Sequence, residues 1–195
     1  MKNKFIKLNN EKQSDLTLAG LNVLYWFFAY PEIKTTLSEL AKELKISKKT
    51  ASKVVNDLVG EGFLEVEEIG KAWRIHCNIK HKYNQTLKIG YNLSIIYNSG
   101  IIHEIYKIIG NPRAIVLFGS YRKGDDIGSS DLDIAVEIIG NSKLEIKNLG
   151  NVAQLGYRKN VPVNLHIFTR NKIDLNLFAN IANGIVLEGF LEVRP

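Results

Sequence analysis

The chain has 195 residues, 45% of them hydrophobic and 24% charged, with a net charge of +6. That balance is the one found in ordinary globular proteins, the length suits one good-sized domain or two small ones, and no internal repeat or low-complexity tract appears along the chain. The mild basicity suits nucleic-acid or nucleotide partners without requiring them.

A single cysteine, Cys77, has no partner for an intrachain disulfide and suits a reducing compartment, where it serves as buried filler. Met1 to Phe5 is charged but has no long apolar core behind it, so it does not read as a signal peptide. Leu21 to Ala29 is apolar yet too short to span a bilayer. The expectation is a cytoplasmic protein with no membrane association.

Residues 1–15 are polar and read as a loosely ordered arm. Thr17 to Tyr30 predicts a helix stopped near Pro31, with Leu21, Leu24, Tyr25 and Phe28 at helical spacing. Its aromatic cluster of Tyr25, Trp26, Phe27, Phe28 and Tyr30 is expected in a core or a subunit interface; left exposed, it would point to a homodimer. Thr36 followed by Glu39 has the spacing of a capping box and opens a helix carrying Leu37, Leu40, Ala41 and Leu44. After the short turn Lys45-Ile46-Ser47, Ser47 caps a third helix that ends at Gly60 and Gly62. Phe63 to Glu68 alternates, turns at Gly70-Lys71 and returns through Ala72 to Cys77 as a two-stranded hairpin.

Two helices joined by a tight turn and followed by a hairpin resemble winged helix-turn-helix regulators, and the likeness spans about residues 17–77. The resemblance implies duplex DNA as a partner. The side chains placed to meet it are Ser47, Lys48, Lys49, Thr50, Ser52, Lys53 and Asn56 on the second helix, with Lys71 and Arg74 on the wing. Glu65, Glu67 and Glu68 on the same wing would repel phosphates, so a helix-turn-helix used for protein packing stays open.

The polar stretch 78–91 reads as a hinge, giving a division into residues 1–80, a hinge at 81–92 and a second domain at 93–195. Leu93 to Ile109 predicts a helix interrupted at Gly100, with Ile95, Ile96, Ile102, Ile105 and Ile109 inward. Ala114 to Phe118 is an apolar run broken by Gly119-Ser120, as a buried strand breaks at a turn before a helix. From Asp131 the chain alternates strictly, so Asp131 and Asp133 share one strand face with Cα atoms roughly 7 Å apart. Two carboxylates that close repel, and a divalent cation shared with substrate phosphates is the usual remedy. Gly119 lets the backbone approach a phosphate, and Ser120 offers a hydroxyl and an N–H where anions are favoured. Ser142 to Lys159 predicts a helix around Leu144, Ile146, Leu149, Val152 and Leu155; Val161 to Phe168 a strand; Asn171 to Ala182 a helix; and Gly184 to Gly189 a closing strand.

Gly119-Ser120-Tyr121-Arg122-Lys123-Gly124 followed by Asp131-Leu132-Asp133 resembles the nucleotidyltransferase superfamily that includes DNA polymerase beta, and within it the minimal nucleotidyltransferases. That likeness covers about residues 95–195. The combined expectation is an α+β protein: a winged helix-turn-helix followed by a small nucleotidyltransferase fold with helices packed on a mixed sheet. The resemblance implies transfer of a nucleoside monophosphate from an NTP, ATP first among them, to a hydroxyl, with Mg2+ or Mn2+ as cofactor. It gives Asp131 and Asp133 the metals, and Gly119, Ser120 and Ser130 the nucleotide, with Arg122 and Lys123 as phosphate neighbours. The acceptor would be bound by a partner or a second subunit; in relatives it is an antibiotic or a toxin protein. The chain departs from the family where a third carboxylate is expected on the neighbouring strand, for it has Val163-Asn164-Leu165. His166 lies one step along that face as a candidate base or ligand, while Glu137 is too far along its strand to help. Two readings follow: an active transferase working with Asn164, or a DNA-binding regulator whose transferase domain only senses nucleotides.

Overall fold

The computed structural model describes residues 17–70 and 72–193. The arm at 1–15 and Lys71 lie outside the described residues. Helix α1 (Leu18–Ala29) starts where the Thr17 hydroxyl accepts the Gly20 N–H, and it stops just before Pro31. Helix α2 (Leu37–Glu43) opens with both halves of the Thr36–Glu39 capping box, and α3 (Lys48–Gly60) opens on Ser47. Strand β1 (Thr35–Thr36) pairs with β3 (Ala72–Cys77), which pairs with β2 (Leu64–Ile69), giving a three-stranded antiparallel sheet. The helical aromatics are core: Phe27 and Phe28 are fully buried, Trp26 nearly so, and Tyr25 stacks on Tyr91 at 4.5 Å. Cys77 is buried too, and that burial pushes its thiol up to about 11, so it stays protonated filler.

The segment expected as a hinge is helical. A 3-10 turn at Lys82–Gln85 runs into α4 (Leu87–Asn98), and α5 (Ile101–Ile109) follows after a break at Gly100, whose φ is +80°. Then come β4 (Ala114–Leu117), the short α6 (Gly119–Lys123), β5 (Leu132–Glu137), β6 (Glu145–Leu155), β7 (Arg158–Phe168), α7 (Leu175–Ala182) and β8 (Ile185–Gly189). The sheet order is β6-β7-β5-β4-β8, with β5 and β7 parallel and the other neighbours antiparallel. One face carries Ile115, Leu132, Ile134, Val163 and Leu165 and is covered by Ile96, Ile101 and Ile105 of α4 and α5. The other carries Val116, Ala135 and Phe168 under Ile181 of α7. That second cover is the smaller one. It leaves the end of β5 that carries Asp131 and Asp133 half open.

The helix expected over residues 142–159 is corrected: its centre is the edge strand β6, folded back on β7 through Gly156-Tyr157. The register slips between Asn148 and Asn151, with Gly150 at φ +87°. A bulge adds a residue and resets the alternation, so Leu149 and Val152, three apart, pack against the same core. Three-residue spacing is also what a helix shows, and the exposed edge strand has few other apolar residues to break the tie.

The loop between α6 and β5 is held by buried polar groups. Lys88 and Asp126 pair at 3.3 Å with both side chains almost fully buried. Asn92 donates to the Asp126 carboxylate at 2.8 Å and to the Tyr121 carbonyl at 3.0 Å. Burial pushes the Asp126 carboxyl up and the Lys88 ammonium down, each opposed by the charge of the other. The segment after α1 reaches two turns of this part of the chain: Glu32 accepts the Gly128 N–H of the same loop at 3.0 Å, and the Tyr30 hydroxyl donates to the Tyr157 carbonyl in the β6–β7 turn at 2.8 Å.

Removing one partner of such a pair strands a buried charge, which costs about 3–5 kcal/mol. Lys88→Ala is therefore expected to lower unfolding stability by about that amount in urea denaturation. A loss below about 1 kcal/mol would show that water reaches Asp126 and that the loop is not pinned there.

Candidate active site

Strand β4 ends at Leu117, and the chain turns at Phe118-Gly119 into α6. Antiparallel pairing of β4 with β5 lays this turn against Asp133, whose carbonyl accepts the Phe118 N–H at 3.3 Å. Gly119 has φ +73°, and a Cβ built on it would lie 2.9 Å from Asp133 Oδ2. Conformation and space both demand glycine at this point.

Asp131 stands immediately before β5, and Asp133 is its second residue. Both are half-buried, and parallel pairing sets Asp133 beside Asn164 and Ala135 beside His166. The two carboxylates are each engaged from β7. Asn164 Nδ2 donates to Asp131 Oδ2 at 2.5 Å, and His166 Nε2 lies 3.3 Å from Asp133 Oδ1. The His166 ring meets Phe118 edge-to-face at 4.9 Å, and its buried Nδ1 has no hydrogen-bond partner among the described residues. Asn164 does not turn its carbonyl oxygen into the site, as a neutral ligand would. That oxygen accepts from Asn148 Nδ2 at 3.2 Å.

Glu137 shares the Asp face and is buried, but Arg170 at 3.1 Å and Arg113 at 3.9 Å neutralise it at the far end of β5. Its role is structural. Ser130 is half-buried, and its hydroxyl accepts the Ile127 N–H at 2.9 Å while its carbonyl accepts from the buried Arg158. Arg158 also donates to the Tyr121 hydroxyl, so one guanidinium from β7 ties α6 to the residue preceding Asp131. Arg158, Lys88 and Asn92 carry no sequence signal that sets them apart from other polar residues.

Phe118, Gly119, Arg122 and Lys123 line one side of a cleft of about 250 Å3, and Leu177, Asn180 and Asn183 of the α7 region line the other. The turn, two cations and two amides thus share one opening; Asp131 and Asp133 are not among its lining residues, and Asp133 meets it through Gly119. Ser120 is half-buried at the start of α6. A larger groove of about 510 Å3 lies between α1 and α3, but the Gly119 turn is not part of it.

On α3, Lys48, Lys49, Lys53 and Asn56 are exposed and Ser52 is half-buried. Ser47 and Thr50 are committed locally: Ser47 Oγ accepts the Thr50 N–H at 3.0 Å, and the two hydroxyls bond at 2.8 Å. Arg74 is exposed on β3 opposite Glu67, which pairs with Lys34 at 2.7 Å.

Among the described residues, no cluster of three or more His, Cys, Asp or Glu side chains is arranged to hold a metal ion. Two half-open carboxylates fit a hard dication that arrives with substrate phosphates, since Mg2+ is commonly held by one or two carboxylates plus phosphate oxygens.

Residues 101–188 match the family model described as Polymerase beta, Nucleotidyltransferase. The matched span runs from the start of α5 into β8 and contains Gly119, Asp131, Asp133, Asn164 and His166, which supports the nucleotidyltransferase superfamily for this part of the chain. No curated protein matches the sequence.

Gly119→Ala would place a methyl group against Asp133 and force a left-handed backbone costing roughly 1–2 kcal/mol. The expected outcome is a drop of about tenfold or more in Mg2+-dependent ATP affinity by calorimetry, with the fold retained by circular dichroism. Wild-type affinity in the variant would mean that the turn is not where phosphate approaches.

Proposed function

We propose that the nucleotidyltransferase part of this chain binds an NTP with a divalent cation at the Asp131–Asp133 face and transfers its nucleoside monophosphate to a hydroxyl acceptor. The observation that carries this reading is the half-buried Asp131–Asp133 pair at the start of β5, with Asp133 pressed against a glycine turn that also lines a cleft with Arg122 and Lys123. Such chemistry needs in-line positioning and neutralisation of developing charge, with little covalent work by the protein. Asp131 and Asp133 would hold the cation, Mg2+ or Mn2+. When bound, the ion supplies charge neutralisation at the reacting phosphate and lowers the pKa of an attacking hydroxyl. The Gly119 backbone and Ser120 would hold phosphate oxygens, and Arg122 and Lys123 would offset the charge of the distal phosphates. His166, 3.3 Å from Asp133, would be the candidate base for the acceptor's proton.

The N-terminal helices and hairpin fit a winged helix-turn-helix acting on duplex DNA, with Lys48, Lys49, Lys53 and Asn56 toward the groove and Arg74 toward the backbone. Ser47 and Thr50 contribute by capping α3. A specific observation also favours the second reading, a DNA-binding nucleotide sensor. Asn164 brings no negative charge to the site and cannot take a proton from an acceptor.

ATP affinity in calorimetry is expected to fall sharply when Mg2+ is chelated, and again when D131N and D133N are combined. Unchanged affinity in both cases would remove the metal from the account. Incubation with labelled NTPs, Mg2+ and host lysate separates transferase from sensor: label moves to an acceptor in the first case and stays on nucleotide in the second.

For DNA, affinity should fall as salt rises because binding releases condensed counterions. Replacing Lys48, Lys49 and Lys53 with Ala should reduce the slope of log K against log salt by about one unit per lost phosphate contact. Absence of binding at low salt, or an unaltered slope, would make the helix-turn-helix a packing module.

A further inference from the structure

Amide side chains are ambiguous until something fixes which end is nitrogen, and here a backbone group does so. The Gly150 N–H can only donate, and it donates to Asn148 Oδ1 at 2.7 Å. The Asn148 amide nitrogen therefore faces the other way and donates to Asn164 Oδ1 at 3.2 Å. Asn164 must in turn present its nitrogen to Asp131, at 2.5 Å. The relay starts at the β6 bulge and ends on a site carboxylate.

It determines which oxygens remain open. Asp131 Oδ2 is occupied by the Asn164 amide, and Asp133 Oδ1 faces His166. Among the described residues, no hydrogen bond is made to Asp131 Oδ1 or to Asp133 Oδ2, and the latter lies on the Gly119 side. Two nucleotidyl-transfer cations sit about 3.5–4 Å apart and need carboxylate charge on both flanks to offset their mutual repulsion. On the β7 flank this chain offers the positive end of an amide dipole.

We infer that the site takes one divalent cation, held by the open oxygens of Asp131 and Asp133, and that the Gly150–Asn148–Asn164 relay excludes a second. Asn148 is then a positioning residue: it touches neither substrate nor cation and acts by fixing how Asn164 is turned. The inference rests on the nucleotide-binding reading above, and its test is built to fail separately from it.

The test counts Mn2+ bound per bound nucleotide by electron paramagnetic resonance, with the α,β-methylene analogue of ATP as probe. Wild type should hold one Mn2+ and N164D two. N148D provides a second route through an exposed residue on the edge strand. The carboxylate placed there accepts both the Gly150 N–H and the Asn164 amide nitrogen, which turns the Asn164 carbonyl oxygen toward Asp131. N148D should therefore also hold two ions, the second more weakly than in N164D. Two ions in wild type, or one in both variants, would overturn the inference while leaving the nucleotide reading standing. Two in N164D but one in N148D would overturn the part given to Asn148. No ion in wild type would overturn the nucleotide reading itself.

Discussion

The contact on which the rest depends is the approach of the Gly119 backbone to the Asp133 carboxylate. Only a residue without a side chain can turn left-handed there and leave Asp133 Oδ2 in place. The β4–β5 pairing aims the turn, and buried polar groups keep it aimed. Arg158 spans Tyr121 and Ser130, while Asn92 spans Tyr121 and Asp126, so both ends of the loop from α6 to β5 are tied to rigid elements. A site meant to bring phosphate within reach of a carboxylate works against its own charge. Holding the backbone rigid supplies what attraction alone does not.

Charge on the sheet's second face is handled differently at its two ends. Glu137 is buried and offset by two arginines, which closes that end as structure. Among the described residues, Asp131 and Asp133 meet an amide and an imidazole from β7, and they remain half open. That half-open pair lies next to the Gly119 turn, which also lines the cleft with Arg122 and Lys123. Charge left unsatisfied on a rigid, half-exposed face is what a cationic ligand requires.

Much of this was legible in the residues. Capping by Thr36 and Ser47, the break at Gly100 and the alternation from Asp131 are local effects, settled within a few residues of chain. What was not legible depends on partners remote in sequence. The strand at 145–155 imitates a helix because a bulge changes its phase, and only pairing with β7 reveals it. Lys88 belongs to a stretch that looks like a polar hinge until Asp126, far along the chain, is seen to neutralise it. Asn164 was visible as a departure from the family pattern. The direction of its amide was not, because that is decided by Asn148 and by the backbone of Gly150.

The central claim is that the Gly119 turn and the Asp131–Asp133 pair together form one nucleotide–cation site. Crystals grown with Mn2+ and a non-hydrolysable ATP analogue, with data collected at the manganese edge, test it most directly. The account predicts an anomalous peak between Asp131 and Asp133, with the phosphates running past Gly119 into the cleft beside Arg122. Nucleotide bound elsewhere, for instance in the groove between α1 and α3, with no manganese at the aspartates, would contradict it.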